Sequence, residues 1–338
     1  MVDPPGHPVE TAVVMRTDTR SHGAMRTFSL TLALAALLAS PPTLAHERVL
    51  LAQSGKPAPA PEKIHRVEKL ADDVYAIITD RGGNMGLVVG DRFCVLIDDQ
   101  FEPLVPGLLA AIRSVTQKPL KYLVNTHHHG DHTGGNLALE QQVQVIVAHA
   151  NSRKNQAASP MTAEAAKKGG LPELVFGEAD PKAKAMLAIY LGGMELHLVH
   201  KAPAHTDGDL MVGIPQRRVL FAGDVFFNGM TPFIDTSAGG SLAGYVENLD
   251  YLLSFVPEDS KIVPGHGPVG TKADLARSRD FLAAVQKHVT ANPGKTGAEL
   301  AASFDRKAFP GITDIPNFLS WEAFFDLAAG RLPQLPKK

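Results

Sequence analysis

The sequence predicts a layered α/β protein, and two observations carry that prediction. Short apolar runs at residues 74–78, 85–89 and 93–97, rich in β-branched residues and separated by Gly and Asp, indicate neighbouring antiparallel strands. Residues 104–115 then show the apolar spacing of a helix, and the apolar strand that follows ends at Asn125. This β-α-β order is expected when helices cover a sheet.

The composition is that of a globular protein with one large domain or a domain with appendages. The chain has 338 residues, a net charge of −2, 44% hydrophobic residues and 20% charged residues. No basic stripe interleaved with aromatic residues is present, so we expect no nucleic-acid partner. The single cysteine, Cys94, lies in an apolar run and cannot form a disulfide within the chain, so we interpret it as a small core residue.

The segment before the folded domain is predicted to contain a secretory signal peptide at residues 25–45. Arg26, a short apolar run and an ending at Ala45 form the typical pattern. The run is shorter than the about 20 residues of a membrane span, although an uncleaved anchor and a buried helix are alternatives. Residues 1–24 are interpreted as an unstructured extension or a wrongly assigned start. Residues 46–66, rich in Pro and Ala, predict a linker.

Export to the periplasm or the medium, with no stable membrane span after cleavage of the signal, is therefore expected. Cleavage after Ala45 would begin the mature chain near His46, and Met25 is the expected start codon. The domain that carries the chemistry is assigned to residues 67–270.

Residues 125–136, NTHHHGDHTGGN, form the densest cluster of potential ligands. The chain has 14 histidines, and four of them fall in this stretch around one aspartate. Its core reads HxHxDH, at His127, His129, Asp131 and His132. Imidazole nitrogens and carboxylate oxygens are ligands that Zn²⁺ prefers, so we interpret the cluster as a metal site rather than a His-rich surface loop.

The cluster follows a predicted strand, which places its ligands in a loop at the carboxyl end of that strand. His127 and His129 alternate and can face one metal, while Asp131 and His132 turn towards a second. His128 is expected to point away from the metals, towards solvent or in support of a ligand.

Three later motifs add further candidates: residues 204–209 contain His205, residues 221–224 end in Asp224, and residues 263–267 contain His266. Asp224 closes a predicted buried strand, where an ionised carboxylate needs a partner that two cations would supply. His266 lies in a Pro-Gly-His-Gly turn that suits a ligand. His205 is favoured by its place between the other motifs, with an exposed turn histidine as the alternative.

Other elements are predicted to build the sheet and its cover. A β-branched run at 143–147 indicates a strand that ends near His149, which we interpret as structural. Residues 151–185 are expected to form helices and loops over the sheet. The apolar loop at 226–235 either walls a substrate site or packs on the core.

Helices are expected to dominate the end of the chain. In the helix predicted at 241–255, Tyr245 has a packing role. Residues 271–338 are interpreted as a helical extension that covers the core or a subunit interface. Thr296 and Glu299 form a capping box that starts one helix. Another helix carries an apolar stripe at Trp321, Phe324, Phe325 and Ala328.

With the four motifs in this order, residues 67–270 resemble the metallo-β-lactamase-fold hydrolase superfamily. The resemblance implies a four-layer αββα sandwich, here with an appended C-terminal helical segment. It also implies that Asp98 supports the metal loop, with a plain turn residue as the alternative. One metal would be held by His127, His129 and His205, another by Asp131, His132 and His266, and Asp224 would bridge the two.

The resemblance implies a dinuclear zinc hydrolase, with iron or manganese as alternative metals, and the predicted signal peptide implies that it is exported. A metal-bound hydroxide would attack the carbonyl of a small-molecule ester, lactone, thioester or β-lactam. Asp131 is the expected catalytic residue, which orients this nucleophile and is a candidate to accept its proton. His132 together with Asp224 is closer to glyoxalase II-like and lactonase-like members than to the best-known β-lactamases.

Two alternatives stay open at this point. One is an iron-dependent oxidoreductase of the same fold, which the complete set of hydrolytic ligands disfavours. The other is a non-catalytic metal-binding protein of the envelope, which intact ligands for both metals disfavour.

Overall fold

The computed structural model describes residues 64–177, 185–315 and 317–332. The predicted N-terminal extension and signal peptide, and the predicted linker up to residue 63, lie outside these ranges. Within them, no helix combines the length and the apolar character that crossing a membrane requires.

The first sheet has seven strands that lie side by side in chain order. Its first four strands pair antiparallel, three of them as predicted, and its last four pair parallel. The parallel pairs bring the carboxyl ends of successive strands to one edge. The strands are β1 (Arg66–Ala71), β2 (Val74–Ile78), β3 (Met85–Val89), β4 (Cys94–Ile97), β5 (Leu120–Val124), β6 (Val145–His149) and β7 (Leu174–Phe176).

The second sheet has five strands in the order β12-β11-β10-β9-β8, all antiparallel except the β11–β12 pair. Its strands are β8 (Ala185–Tyr190), β9 (Glu195–His200), β10 (Met211–Ile214), β11 (Val219–Phe227) and β12 (Lys261–His266). The prediction that a strand ends at Asp224 is wrong, because β11 continues through three more buried apolar residues. The β11–β12 register shifts at Gly223, whose φ is +51°.

Helices cover the outer faces of both sheets. On the side of the first sheet, α1 (Val105–Val115) packs on the strands, and the chain between β5 and β7 forms α2 (Gly130–Thr133), α3 (Asn136–Leu139), α4 (Ala150–Ala158) and α5 (Ala163–Ala166). Those on the second sheet are α6 (Leu242–Phe255), α7 (Lys272–Ala291), α8 (Gly297–Ser303) and α9 (Trp321–Ala328). The metal loop thus contains one helical turn, α2, where the sequence predicted only a loop, and the stretch expected to hold helices and loops also contains β7.

Three apolar clusters fill the spaces between these layers. One lies between the two sheets, one between the first sheet and α1, and one between the second sheet and the C-terminal helices. The predicted four-layer αββα sandwich is therefore confirmed. The predicted capping box at Thr296 and Glu299 starts α8, and Phe324 and Phe325 of α9 are fully buried, so the C-terminal helices cover the core.

Candidate metal centre

The seven predicted ligands meet where the two sheets end. His127 and His129 follow β5, and His205 lies between β9 and β10. Asp224 belongs to β11 and His266 is the last residue of β12. Strand ends of both sheets therefore supply donors to one centre.

His127, His129 and His205 form the first group of donors. Nδ1 of His129 lies 3.2 Å from Nε2 of His127 and 2.8 Å from Nε2 of His205. Oδ2 of Asp224 lies 3.3 Å from Nε2 of His205 and 3.8 Å from Nε2 of His127. The ligand atoms of these four residues all lie within 4.8 Å of one another, a spacing that could hold a metal ion.

Asp131, His132 and His266 form the second group. Oδ2 of Asp131 lies 3.3 Å from Nε2 of His266 and 3.6 Å from Nε2 of His132. Oδ1 of Asp224 lies 3.2 Å from Nε2 of His132, and its Oδ2 lies 3.4 Å from Nε2 of His266. Asp224 thus lies between the two groups, where the predicted bridging role requires it.

Acceptors behind the first group determine which imidazole nitrogen carries a proton. Nε2 of His129 lies 2.9 Å from Oδ2 of Asp235, and Nδ1 of His205 lies 2.7 Å from the carbonyl oxygen of Phe233. A carbonyl and an ionised carboxylate only accept hydrogen bonds, so these nitrogens are the donors. The lone pairs of His129 Nδ1 and His205 Nε2 consequently face the centre.

Asp98 fixes two further rings from a buried position. Its carboxylate accepts hydrogen bonds from the Thr126 N–H at 2.7 Å and the Thr126 hydroxyl at 2.8 Å, and it lies 2.8 Å from Nδ1 of His132. Since the Thr126 hydroxyl donates to Asp98, its oxygen accepts from Nδ1 of His127 at 3.2 Å. Of the two alternatives for Asp98, the structure supports the one in which it holds the metal loop.

Burial keeps most of the first group neutral. Desolvation lowers the pKa of His205 to about 4, and it lowers that of His127 well below its ordinary value despite the nearby Asp224 carboxylate. A neutral imidazole offers the lone pair that a metal needs.

In the second group, neighbouring opposite charges affect the pKa values more strongly than burial does. Desolvation alone would lower the pKa of His266, but Asp224 and Asp131 raise it to about 9. Burial would raise the pKa of Asp131, but His132 and His266 lower it to about 2, so this carboxylate is ionised at neutral pH. Protons on these imidazoles and a bound cation would compete for the same lone pairs.

The residues present fit a pair of metal ions. Nε2 of His132 and Oδ1 of Asp224 are buried 3.2 Å apart, and within the described part of the chain neither makes a hydrogen bond of acceptable geometry. Buried polar atoms without partners are costly, and a cation between them would satisfy both. Imidazole nitrogens and carboxylate oxygens are also the donors that zinc accepts.

Glycines let the backbone approach these donors closely. A β-carbon at Gly265 would overlap the Asp224 carboxylate, and one at Gly83 would overlap the ring of His132. A larger residue at either position would displace a donor.

The loop at 226–235 packs on the core and also borders the donors, while its use as a substrate wall stays a prediction. Phe226 and Ile234 are buried in the core. The Phe233 ring is partly exposed and lies 6.0 Å from the ring of His129 and 5.9 Å from that of His205, measured between centroids. Phe227 stacks on His266 with centroids 5.0 Å apart. An aromatic wall therefore borders the donors.

Asp235 and Tyr245 contact the candidate ligands or their backbone, and the sequence interpretation missed both contacts. Asp235 accepts from His129 and, through Oδ1, from the N–H groups of Ser237 and Ala238, so a capping aspartate followed by Ser was the available signal. The Tyr245 hydroxyl lies 2.8 Å from the Asp224 carbonyl oxygen and 2.9 Å from that of Phe233. The interpretation of Tyr245 as a packing residue overlooked this hydroxyl.

Two other histidines lie outside the donor groups. His128 points to Asp235, with Nε2 3.9 Å from Oδ2, and is buried rather than solvated. His149 caps α4 and stacks on His200 with centroids 4.3 Å apart, in agreement with a structural role.

A sandwich whose strand ends gather His and Asp side chains around a potential metal position defines a class of metal-binding α/β hydrolases. Residues 78–266 match the family model of the metallo-beta-lactamase superfamily. The chain belongs to this superfamily and is a metal-dependent hydrolase.

Known proteins similar to this chain include enzymes of two kinds. A metallo-beta-lactamase type 2 of Bacillus sp. (strain 170) is 26% identical over 199 residues, which are 58% of this chain and 72% of the relative. Hydroxyacylglutathione hydrolase GloC of Haemophilus influenzae is 29% identical over 164 residues, which are 48% of this chain and 76% of the relative.

The fold is also similar to that of a solved structure, the metallo-beta-lactamase from Pontibacter korlensis. The TM-score is 0.53 at 23% identity, over 65% of this chain and 99% of that one.

Proposed function

We propose that the protein is an exported hydrolase that binds two Zn²⁺ ions and cleaves a carbonyl bond in a small molecule. Substrates of this class are esters, thioesters, lactones and β-lactams. The observation that carries the proposal is the position of Asp224, whose two carboxylate oxygens lie within 3.4 Å of His132, His205 and His266 and so join both donor groups.

Zinc at such a site supplies Lewis acidity, which polarises a carbonyl oxygen and lowers the pKa of water towards about 7. The protein itself first orients the imidazoles, through contacts with Asp98, Asp235 and the Phe233 carbonyl. Asp131 is one-fifth exposed, so its carboxylate can reach a substrate or water. We assign to it the orientation of the attacking water and the acceptance of its proton.

The similar proteins suggest which bonds to test first. One is named a β-lactamase, which points to a β-lactam amide, and the other a hydroxyacylglutathione hydrolase, which points to a thioester. Attack on either carbonyl needs the same polarisation, and the apolar surface of Phe233 beside His129 and His205 suits a substrate with an apolar portion.

Export is supported by the signal-like pattern of residues 25–45. Expression of the full chain in a Gram-negative host should give a mature protein in the periplasm or the medium whose first residue is near His46. A cytoplasmic product that retains residues 25–45 would contradict export.

The decisive experiment measures metal content by mass spectrometry together with turnover of a chromogenic cephalosporin, a lactone and a thioester. We expect two zinc ions per chain and preferential cleavage of one substrate. One iron per chain would favour the oxidoreductase, and two zinc ions without turnover would favour a non-catalytic metal-binding protein.

Asp224→Ala tests the bridging assignment within this experiment. Because Asp224 contacts both groups, we expect the variant to lose or weaken one metal position. Asp259→Ala, which removes an exposed carboxylate of a surface ion pair, is the control. Unchanged two-metal occupancy in Asp224→Ala would refute the assignment.

A further inference from the structure

A second phenylalanine extends the aromatic surface beside the donors. The ring of Phe318, in the turn before α9, packs edge-on against Phe233 with centroids 5.6 Å apart at an angle of 63°. Phe233 in turn contacts the rings of His129 and His205. A continuous apolar surface therefore runs from the first donor group to the C-terminal extension.

Backbone hydrogen bonds fix this part of the extension to the loop that carries Phe233. The N–H of Thr231 donates to the carbonyl oxygen of Thr313 at 2.8 Å, and the N–H of Thr313 donates to that of Gly229 at 3.1 Å. Thr313 and Met230 form a parallel bridge. The extension is thus held beside the site at its base.

The turn that presents Phe318 is itself ordered by hydrogen bonds. The N–H groups of Phe318 and Leu319 both donate to the carbonyl oxygen of Ile315, at 3.1 and 2.9 Å. Leu319 is 1% exposed and anchors the turn in the core, whereas Phe318 is 58% exposed. A large aromatic side chain is therefore held at the rim of the site with most of its surface available to a ligand.

We propose that Phe318 is a specificity-determining residue that acts with Phe233 as an apolar clamp. The clamp binds an aromatic or similarly flat apolar group attached to the carbonyl compound, and so selects substrates in which such a group adjoins the scissile bond. The inference rests on the proposed hydrolase function, because it assigns a substrate class to that site.

The relative positions explain why the clamp selects and does not take part in bond cleavage. Phe233 lies between Phe318 and the imidazoles of the first group, so a substrate group that extends from the reacting carbonyl across Phe233 reaches Phe318. Aromatic rings gain energy from offset and edge-on packing against one another in addition to the burial of apolar area. A phenyl group should therefore bind better than a methyl group, and part of that advantage should depend on a residue outside the matched family segment, 78–266.

Binding and turnover are measured on the same zinc-loaded protein with matched probes. Acetohydroxamate and phenylacetohydroxamate, which differ only by a phenyl group, are titrated by calorimetry without any need for hydrolysis. The S-methyl thioesters of acetic and phenylacetic acid give the corresponding ratio of kcat/KM.

Phe318→Ala, Phe318→Leu and the control Phe255→Ala are compared with the wild type. Phe255 is 53% exposed, close to the exposure of Phe318, but it lies beside Val219 and Leu220 at the opposite end of β11 from Asp224.

In the wild type we expect phenylacetohydroxamate to bind roughly tenfold more tightly than acetohydroxamate. Phe318→Ala should reduce that ratio by roughly threefold to fivefold, Phe318→Leu by less, and Phe255→Ala not at all. Equal ratios in Phe318→Ala and the wild type, or no preference for phenyl in the wild type, would overturn the clamp.

The two readouts separate this inference from the function on which it rests. Phenyl-dependent hydroxamate binding that Phe318→Ala weakens, without cleavage of either thioester or of the cephalosporin and lactone, would support the clamp and count against the hydrolase. Cleavage of both thioesters at the same phenyl ratio in all variants would support the hydrolase and overturn the clamp.

Discussion

Asp98 organises the metal loop through one fully buried carboxylate. It accepts both hydrogen bonds from Thr126 and lies 2.8 Å from His132, while its φ of +58° is unusual for an aspartate. Residues with such backbone angles persist where surrounding contacts determine them. The loop geometry and the orientation of two imidazoles therefore depend on this single residue.

Asp98→Asn should weaken zinc binding by roughly 10- to 100-fold, because the amide replaces a charged acceptor with a weaker one at His132. Competition with a chelator measures the affinity, and circular dichroism confirms the fold. Asp259→Asn, at an exposed ion pair, should bind zinc like the wild type. Equal zinc affinity in Asp98→Asn and the wild type would show that Asp98 is only a turn residue.

His149 should make stability depend on pH. Burial and the neighbouring His200 lower its pKa to about 4, and its buried Nε2 has no hydrogen-bond partner among the residues that the structure describes. The unfolded chain has an imidazole pKa near about 6.5. As the pH falls from 7 to 5 the unfolded state gains this proton and the folded state does not, so the free energy of unfolding falls.

We expect this residue to account for about 1–2 kcal/mol of the loss between pH 7 and pH 5. His149→Asn keeps an acceptor for the start of α4 and removes the titration. Urea unfolding at both pH values should show a smaller loss in the variant. A loss equal to that of the wild type would contradict the assignment.

Some residues of the candidate metal centre could be predicted from the sequence, and others could not. The candidate ligands His127, His129 and Asp131 could be predicted because a dense cluster of donors is uncommon outside metal sites. Asp235 could not, because it lies more than a hundred positions from His129 and resembles an ordinary capping aspartate.

Among the elements, the parallel pair β11 and β12 determines how closely two backbones approach the centre. Gly265 of β12 faces the Asp224 carboxylate of β11, with no space for a β-carbon. The two strands were predictable from apolar runs, but the end of β11 was not, because the strand continues three residues beyond Asp224. This contact was not predictable either, because it depends on a register that shifts at Gly223.

Gly265→Ala should displace Asp224 and weaken zinc binding by roughly tenfold or more. Overpacking should also lower the free energy of unfolding of the zinc-free protein by about 1–3 kcal/mol. Gly213→Ala is the matched control, since Gly213 lies in β10 of the same sheet and a β-carbon there meets nothing within 4 Å. Similar zinc affinities in the two variants would contradict the proposed contact.

At the scale of the whole molecule, the C-terminal helices complete the core of the second sheet. Phe324 is fully buried and stacks on Phe281 with centroids 5.7 Å apart. The same apolar cluster includes Leu249 of α6 and Phe226 of β11. The spacing of apolar residues predicted these helices, but which sheet they cover follows from packing between distant segments.

Phe324→Ala should lower the free energy of unfolding by about 3–5 kcal/mol, because it leaves a cavity in this cluster. Phe255→Ala, at an exposed aromatic, should change it by less than about 0.5 kcal/mol. Urea titrations with zinc present would measure both changes in the free energy of unfolding. A loss below about 1 kcal/mol for Phe324→Ala would mean that α9 is not part of the cooperative core.

Tyr245 joins this helical core to the donors, and the connection bears on how the enzyme could acquire new substrates. Its hydroxyl reaches the carbonyl groups of Asp224 and Phe233, and the latter also orients His205. Under selection for a new activity, changes that shift α6 would disturb the donors as well. Substitutions at Phe318 do not change the contacts of Tyr245 with the donors. Directed evolution should therefore find its first adaptive changes in the turn of Phe318, while Tyr245 stays invariant.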